Sequence, residues 1–534
     1  MAYQAARWLL CLSGAVVTVL ASKSLIHYFQ LESYQFPGYY HTLNRNFKRA
    51  MLPGGIATLV LLGLFAVFHA IAPVGIWEAL LALLVLLLSA GGGMLISRVM
   101  QDKKAKKPLV FTPRVKRLYG VYGVVMAVIY LLVGLNSPWA LILCFMPLLM
   151  PLWTALAGLL AWPIEKLISE LYFRDAQKKL REMKGLIRIG ITGSYGKTSV
   201  KFILGTLLEE KFNVLVTPAS FNTPMGVTKV IREKLTPAHQ IFVSEMGARH
   251  VGDIKEMCRL VHPHMGLLTS VGPQHLETFK TIERITKTKY ELMDAIPQDG
   301  HCFFSDDAGI CRDLYNKTVK AKSIASLKSD IKADVWAEDI SVGPEGSRFV
   351  LHGAGESLQC QTRLLGEHSI QNVLLAVSVC LYLGMDLETV ARGVRKLKPV
   401  EHRLQLIPTA IGVTIIDDAF NSNPKGASAA LDVIAAFPGR RIIITPGMVE
   451  LGSKEAEYNR AFGKQMAHSV DLAILVGKKH TAPIAEGLKE EGFDPACIRQ
   501  VSSLDESTQY LHSIMRAGDV VLYENDLPDN YSEN

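Results

Sequence analysis

Five apolar runs, each close to the ~20 residues a helix needs to cross a hydrocarbon layer, lie ahead of Pro163, at 7–27, 50–72, 76–98, 117–136 and 138–160. No acidic or basic residue sits in mid-span apart from Glu78, which is near an end, so an ion pathway is not expected. Beyond Pro163 the composition is that of an ordinary charged globular protein. These features predict an amino-terminal α-helical membrane region of about five spans, residues 1–165, followed by an α/β part.

The formal net charge of +8 is concentrated beside the apolar runs. The stretch from Arg98 to Arg117 contains Lys103, Lys104, Lys106, Lys107, Arg114 and Lys116, and the first long connection contains Lys23, Arg45, Lys48 and Arg49. Cytoplasmic loops collect such charge. The uncharged connections Ala72-Pro73-Val74-Gly75 and Asn136-Ser137-Pro138 then lie outside, and everything after Lys166 lies in the cytoplasm of a cell-membrane protein. Charge placed in this way speaks for a bilayer partner and against nucleic acid, which needs a basic patch with base-reading or stacking groups. The eight cysteines show no CxxC or CxH spacing, so reduced thiols are expected. The aromatic segment Tyr34–His41 reads as an interfacial loop, serving either as an aromatic belt or as a contact to a lipid headgroup.

In the second part, β-branched runs alternate with helical spacing. Strands are expected at Leu186–Ile191, Gln240–Ser244, Met265–Thr269 and His301–Ser305, with a hairpin over Ser347–Arg363. A second series follows at Gly412–Ile416, Arg441–Thr445, Leu472–Val476 and Val520–Tyr523. The pattern predicts a parallel-sheet ATPase domain over 166–399 and a Rossmann-like α/β domain over 400–534.

The first strand runs into Thr192-Gly193-Ser194-Tyr195-Gly196-Lys197-Thr198-Ser199, and a helix follows. Glycines let backbone N–H groups turn toward phosphates, and the helix amino terminus adds a positive dipole. Lys197 is placed to neutralise the terminal phosphates and the Thr198 hydroxyl to ligate Mg²⁺, so Gly193, Ser194, Tyr195, Gly196, Lys197, Thr198 and Ser199 are the candidate ATP-binding loop. The full Walker spacing wants a glycine where Ile191 stands.

This shortened loop resembles that of the Mur ligase family. Asn222-Thr223-Pro224-Met225-Gly226, Glu245-Met246-Gly247-Ala248 with Gly252-Asp253-Ile254, Gly272-Pro273-Gln274-His275-Leu276-Glu277 and Thr288-Lys289-Tyr290-Glu291 are similar to family runs, in order. So are Gly366-Glu367-His368-Ser369-Ile370-Gln371-Asn372, Glu401-His402-Arg403, Asp417-Asp418-Ala419-Phe420-Asn421 and Gly447-Met448-Val449-Glu450-Leu451-Gly452. They look most like the MurF-type branch.

The resemblance implies an ATP-dependent ligase that activates a carboxylate as an acyl phosphate and then admits an amine. It implies two Mg²⁺ ions, with Thr198 and Glu245 at the first and His275 and Lys289 at the second, and it marks Lys289 as the position that CO₂ carbamylates. It further implies that Asn372 and His368 shape the adenine site, that Arg403 reaches the γ-phosphate, and that Asp418 and Asn421 close over the nucleotide.

Two departures stand out. The family's soluble amino-terminal domain, which binds the UDP of a nucleotide-sugar substrate, is replaced by the apolar runs, so the expected carboxylate is lipid-linked or part of a membrane-held glycan. The MurF-type K-G-S run is replaced by Tyr523-Glu524-Asn525-Asp526-Leu527-Pro528-Asp529, which leaves the amino-acid or peptide amine open. The family's histidine after E-L-G is also missing, with Tyr458 and Asn459 nearby. Competing readings are a poly-γ-glutamate-type synthase and an ATP-driven membrane transporter or sensor.

Overall fold

A computed structural model of the chain describes residues 2–71, 76–100, 108–136, 140–219, 221–307, 309–328, 332–419, 422–449 and 451–527. The connection 72–75, residues 101–107 of the basic loop, Ser137, Pro138, Phe420, Asn421, Glu450, Pro528 and Asp529 therefore lie outside the described residues. The chain divides into two compact units, Met1–Glu170 and Leu171–Leu527.

The first unit is all helical. Five helices are long and apolar enough to cross a membrane by length and composition: Gln4–Ala21, Phe47–Ile71, Ile76–Val99, Pro113–Gly134 and Ile142–Glu182. The first expected run breaks at Ser22, so that Lys23–Leu31 forms its own helix. The aromatic segment is not a loop. Pro37 starts the helix Phe36–Arg45, and Phe29 packs at 5.0 Å from Tyr39, 5.4 Å from Phe36 and 5.7 Å from Tyr34. Tyr39 is buried and its Oη donates to Pro151 O at 3.1 Å, so this aromatic group is largely a core of its own. Helices approach closely through small residues: a Cβ on Gly134 would stand 2.2 Å from Cys11 Sγ. Thr18 Oγ1 and Tyr130 Oη pair at 3.0 Å inside the bundle. Outward, Leu80, Leu84, Leu87, Leu88 and Leu95 remain exposed on one helix. At the end of the basic loop, Arg117 is held by Glu165 through Nε at 2.5 Å and Nη2 at 2.9 Å. The helix Met150–Glu182 runs through the expected boundary at 165/166.

The second unit contains two sheets. Strands β1 (Ile187–Thr192), β2 (Val214–Val216), β3 (Ile241–Glu245), β4 (Met265–Leu268), β5 (His301–Ser305), β6 (Lys322–Ser326), β7 (Val335–Gly343), β8 (Gly346–Gly353) and β9 (Glu356–Thr362) form a sheet of order β2-β3-β1-β4-β5-β6-β7-β8-β9. It is parallel through β7, and β8 and β9 add the expected antiparallel hairpin. Period-2 side chains make two cores: Ile241 and Val243 face one, and Phe242 faces the other.

The second sheet comprises β10 (Gln405–Pro408), β11 (Thr414–Asp418), β12 (Arg441–Thr445), β13 (Leu472–Val476), β14 (Ile498–Val501) and β15 (Val520–Glu524), in the order β10-β11-β15-β12-β13-β14. Only β10 is antiparallel. The gap between the sheets, Thr362 to Gln405, brackets the expected boundary near Pro399. No cysteine among the described residues is disulfide-bonded.

The first sheet fixes where chemistry can occur. After β1 the chain moves toward β2, while β4 leads the other way, so the loops leaving β1 and β4 diverge at their carboxyl ends. Such a switch point opens a crevice in a parallel sheet.

Candidate active site

The loop leaving β1 is held by the loop leaving β4. Ser194 N donates to Ser270 O at 2.6 Å, Ser194 Oγ donates to Gly272 O at 3.0 Å, and Tyr195 N donates to Ser270 Oγ at 3.2 Å. Thr269 Oγ1 donates to Tyr195 O. Gly196 caps the helix Lys197–Leu208 at φ +79°, a left-handed conformation that suits glycine. A Cβ on Gly193 would meet Thr269 Oγ1 at 2.0 Å. Gly193→Ala is therefore expected to push the two loops apart and weaken nucleotide binding at least roughly tenfold, with a stability loss of about 1–3 kcal/mol. Calorimetric titration with ADP and thermal unfolding check both.

Lys197 Nζ curls over this loop, donating to Gly193 O at 2.7 Å and Ser194 O at 2.9 Å. Burial brings its ammonium down to about 8; Glu245 opposes the shift and Arg403 adds to it.

Glu245 ends β3 and is 1% exposed. Its Oε1 accepts from Thr198 Oγ1 at 3.1 Å and from Asn222 Nδ2 at 3.0 Å, and its Oε2 pairs with Lys201 Nζ at 3.1 Å. Its own N–H donates to Thr217 Oγ1 at 3.2 Å. Burial alone would raise this carboxyl, but Lys201 and Lys197, helped by the Asn222 hydrogen bond, hold it below the ordinary range. Lys201 itself is 0% exposed and also donates to Ala219 O. Neither Lys201 nor a role for Asn222 emerges from the sequence reading. The available signal was a lysine one helical turn after Lys197 on an otherwise apolar helix face.

Lys289 is 2% exposed in the helix Ile282–Ala295. Burial, and then Lys197, drive its ammonium well below the usual range, while Asp253, Glu245 and Glu291 oppose this. Lys289, Lys197 and Glu245 thus share one electrostatic neighbourhood. His275 starts the short helix Leu276–Phe279 in a left-handed conformation, φ +53°, on the loop leaving β4. Among the described residues no three His, Cys, Asp or Glu side chains converge as a metal cage. The donors present instead, one hydroxyl and one ionised carboxylate at a phosphate loop, suit Mg²⁺, which keeps phosphate and water ligands.

Arg403 comes from the linker between the sheets and lies between two non-glycine residues at positive φ, His402 at +58° and Leu404 at +45°. Such conformations cost about 1–3 kcal/mol each and need external support. Here β11 supplies it: His402 Nδ1 pairs with Asp417 Oδ2 at 2.7 Å, and Leu404 N donates to Asp418 Oδ1 at 3.2 Å. Arg403 acts electrostatically on Lys197, Lys201, Glu245 and Asp418.

Burial, then Glu524, pushes the Asp418 carboxyl up to about 8 against the pull of Arg403. An unfolded carboxyl titrates near 4, so between those values the folded chain holds a proton that the unfolded chain has lost. Stability therefore falls as pH rises through that window. Asp418→Asn is expected to flatten the fall in Tm from about pH 5 to about pH 8, leaving the variant relatively more stable at the alkaline end; thermal unfolding against pH checks this.

Glu524 and Asn525, in the stretch that stands where the MurF-type K-G-S run would be, are 1% and 8% exposed. Glu524 accepts from Ser422 Oγ and from Thr445 Oγ1, the latter at 2.7 Å, and Asn525 Nδ2 donates to Gly447 O at 2.6 Å. They tie together the carboxyl ends of β11, β12 and β15. Asn459 clamps Met448 through both backbone groups at 2.9 Å, a loop-holding role.

Asn372 lies against the phosphate loop, its Oδ1 2.7 Å from where a Cβ on Gly196 would stand. The His368 imidazole lies beside Gly366, 2.8 Å from where a Cβ there would stand, and burial and Lys425 bring it down to about 4. A cavity of about 600 Å³ opens beside the loop, lined by Thr198, Ser199, Phe202, Ser369, Pro399 and Arg403 among others. Neither His368 nor Asn372 lines it; the neighbouring Ser369 does. Asn421 lies outside the described residues.

Known proteins share this fold. The profile of the Mur ligase middle domain matches residues 191–380, and that of the Mur ligase glutamate ligase domain matches 402–523. The UDP-N-acetylmuramoyl-tripeptide–D-alanyl-D-alanine ligase of Mycobacterium bovis is 31% identical over 360 residues, covering 63% of this chain and 70% of that protein. Among solved structures, MurF from Acinetobacter baumannii superimposes with a TM-score of 0.62 at 24% identity, covering 68% of this chain and 79% of that one. MurF ligase from Thermotoga maritima in complex with ADP gives 0.61 at 23% identity, covering 68% and 82%.

Proposed function

The chain belongs to the Mur ligase family of ATP-dependent ligases that form C–N bonds, and we propose that it is a membrane-anchored carboxylate–amine ligase of cell-envelope synthesis. It would add an amino acid or peptide to a membrane-associated precursor or glycan. One observation carries the anchoring: both family domains begin after residue 190, and the preceding chain supplies five helices of spanning length and apolarity. On one of them Leu80, Leu84, Leu87, Leu88 and Leu95 stay exposed, an apolar face that a bilayer would cover. The positive-inside reading puts the catalytic unit in the cytoplasm.

In this reading the loop Gly193–Ser199 binds the triphosphate, and the 600 Å³ cavity beside Ser199 and Phe202 takes the nucleoside, with His368 and Asn372 stiffening its wall. Thr198 and Glu245 would hold one Mg²⁺, and His275 and Lys289 would serve a second; bound there, the ions would supply charge that lowers the repulsion between the carboxylate and the γ-phosphate. Lys201 and Asn222 fix the Glu245 carboxylate in its ionised form, facing Thr198. Lys197 and Arg403 stabilise charge on the transferring phosphoryl group. Burial that depresses the Lys289 ammonium also favours its deprotonated form, whose attack on CO₂ would release a proton and leave a carbamate anion. Asp418, protonated at neutral pH, would approach the nucleotide from the last domain without repelling it, and closure would exclude water from the acyl phosphate.

The test uses the full-length chain in nanodiscs. ADP release is expected with a polyprenyl-linked uronic acid plus an amino acid. Robust turnover of UDP-N-acetylmuramoyl tripeptide with D-alanyl-D-alanine would overturn the lipid-linked substrate and leave the ligase assignment intact.

A further inference from the structure

The nine-stranded sheet has a second cavity at the opposite, amino edge, of about 580 Å³, lined by Arg188, Lys255, Arg259, His262, His264 and Asp299 among others. We propose that it binds a phosphate-bearing anion, held by Arg188, His264 and Arg259, independently of ATP and of the ligase reaction.

The argument starts from a conflict between donors. Arg188 is the second residue of β1, and His264 immediately precedes β4. The backbone N–H of Arg188 donates to His264 Nδ1 at 3.2 Å. That ring nitrogen is therefore the acceptor, so in the neutral imidazole the proton sits on Nε2. Yet Arg188 Nη2, which can only donate, stands 2.9 Å from the same Nε2. Two N–H donors face each other there, and neither satisfies the other. Arg188 Nε is also buried without a hydrogen-bond partner among the described residues. An oxyanion at this point accepts from the guanidinium and the imidazole together and removes the conflict, and arginine's planar fork favours phosphate.

The surrounding charge agrees. Three permanent cations and two histidines meet a single carboxylate, Asp299. Burial, and then the Arg188 charge, depress both His262 and His264. Arg259 and His262 lie at the carboxyl end of the helix Asp253–Val261, where cations offset the helix dipole. That accounts for those two residues. It does not account for Arg188 facing His264.

The anion has two possible sources. The helix Met150–Glu182 lays Phe173 beneath the Arg259 guanidinium at 4.8 Å and donates from Gln177 Nε2 to Arg259 O at 2.7 Å. The same helix carries the last apolar run, which makes a phospholipid headgroup one source; a soluble phosphate compound is the other.

Inorganic phosphate titrated calorimetrically into the full-length chain in detergent, with Mg²⁺ and a non-hydrolysable ATP analogue filling the phosphate loop, tests the site. Saturable binding is expected, at least roughly tenfold weaker in Arg188→Gln and in Arg259→Gln, with ligase activity unchanged. Arg259 is exposed, so its variant stays informative if Arg188→Gln folds poorly. Repeating the titration in about 0.3 M KCl, to screen surface potential, in nanodiscs of phosphatidylglycerol or phosphatidylcholine separates the sources. Loss of phosphate binding only in phosphatidylglycerol identifies a lipid headgroup, and equal binding in both identifies a free phosphate. No saturable binding in detergent, or binding indifferent to both substitutions, overturns the proposal and leaves these cations as helix-end partners alone.

Discussion

Lys197→Ala is expected to lower amine-dependent ADP release about a thousandfold while leaving the fold intact. A preorganised donor aimed at developing charge contributes about 10²–10³ in rate, and Lys197 shares its neighbourhood with Arg403, Lys289 and Glu245, so its loss also disturbs the balance around them. Structurally the change is mild. Among the described residues Lys197 Nζ hydrogen-bonds only to the loop carbonyls of Gly193 and Ser194, and after truncation the buried Glu245 keeps Lys201 as its partner. Single-turnover kinetics with thermal unfolding alongside make the comparison; a loss smaller than about tenfold would remove Lys197 from phosphoryl transfer.

Lys201→Met should do more damage to stability than any substitution of the loop itself. Its ammonium and the Glu245 carboxylate are 0% and 1% exposed and lie 3.1 Å apart. Removing one member of such a pair leaves the other charged and buried, at a cost of about 3–5 kcal/mol. In a domain of this size that is a Tm drop on the order of 10 °C. Activity falls as well, because Glu245 loses the partner that holds it toward Thr198. The double variant Lys201→Met/Glu245→Gln is expected to regain much of the stability and none of the activity, which separates the ion pair's structural contribution from the carboxylate's chemical one. Equal Tm values for the wild type and Lys201→Met would refute the pairing.

The parts of this site that could be read from sequence are those fixed by local geometry. A phosphate loop needs glycines beside a lysine and a hydroxyl, and Gly193–Thr198 states this within a few residues. Glu245 was legible because a carboxylate closing an apolar strand sits at the sheet's carboxyl edge. Long apolar runs carry their length constraint on their face, although the break at Ser22 and the helix Phe36–Arg45 depended on packing around Phe29. Lys201 was hidden because a lysine on a helix ordinarily reads as solvated, and only the fold brings it against Glu245 across 44 residues of chain. The burial of Glu524 was hidden for the same reason: its acidic neighbours suggest water, whereas Ser422 and Thr445 come to it from distant parts of the chain. Strand β14 and the short β2 lack the hydrophobic alternation that would announce them; they form because a parallel neighbour is already in place.

Oxygen transfer tests the central claim most directly. If a carboxylate oxygen attacks the γ-phosphorus and the amine later expels that phosphate, the oxygen leaves with it. With an ¹⁸O-labelled carboxylate substrate, one labelled oxygen should appear in inorganic phosphate for each amide formed, read by mass spectrometry. Phosphate that carries none of the label, or ADP released at the same rate without an amine, would contradict acyl-phosphate ligation at this site.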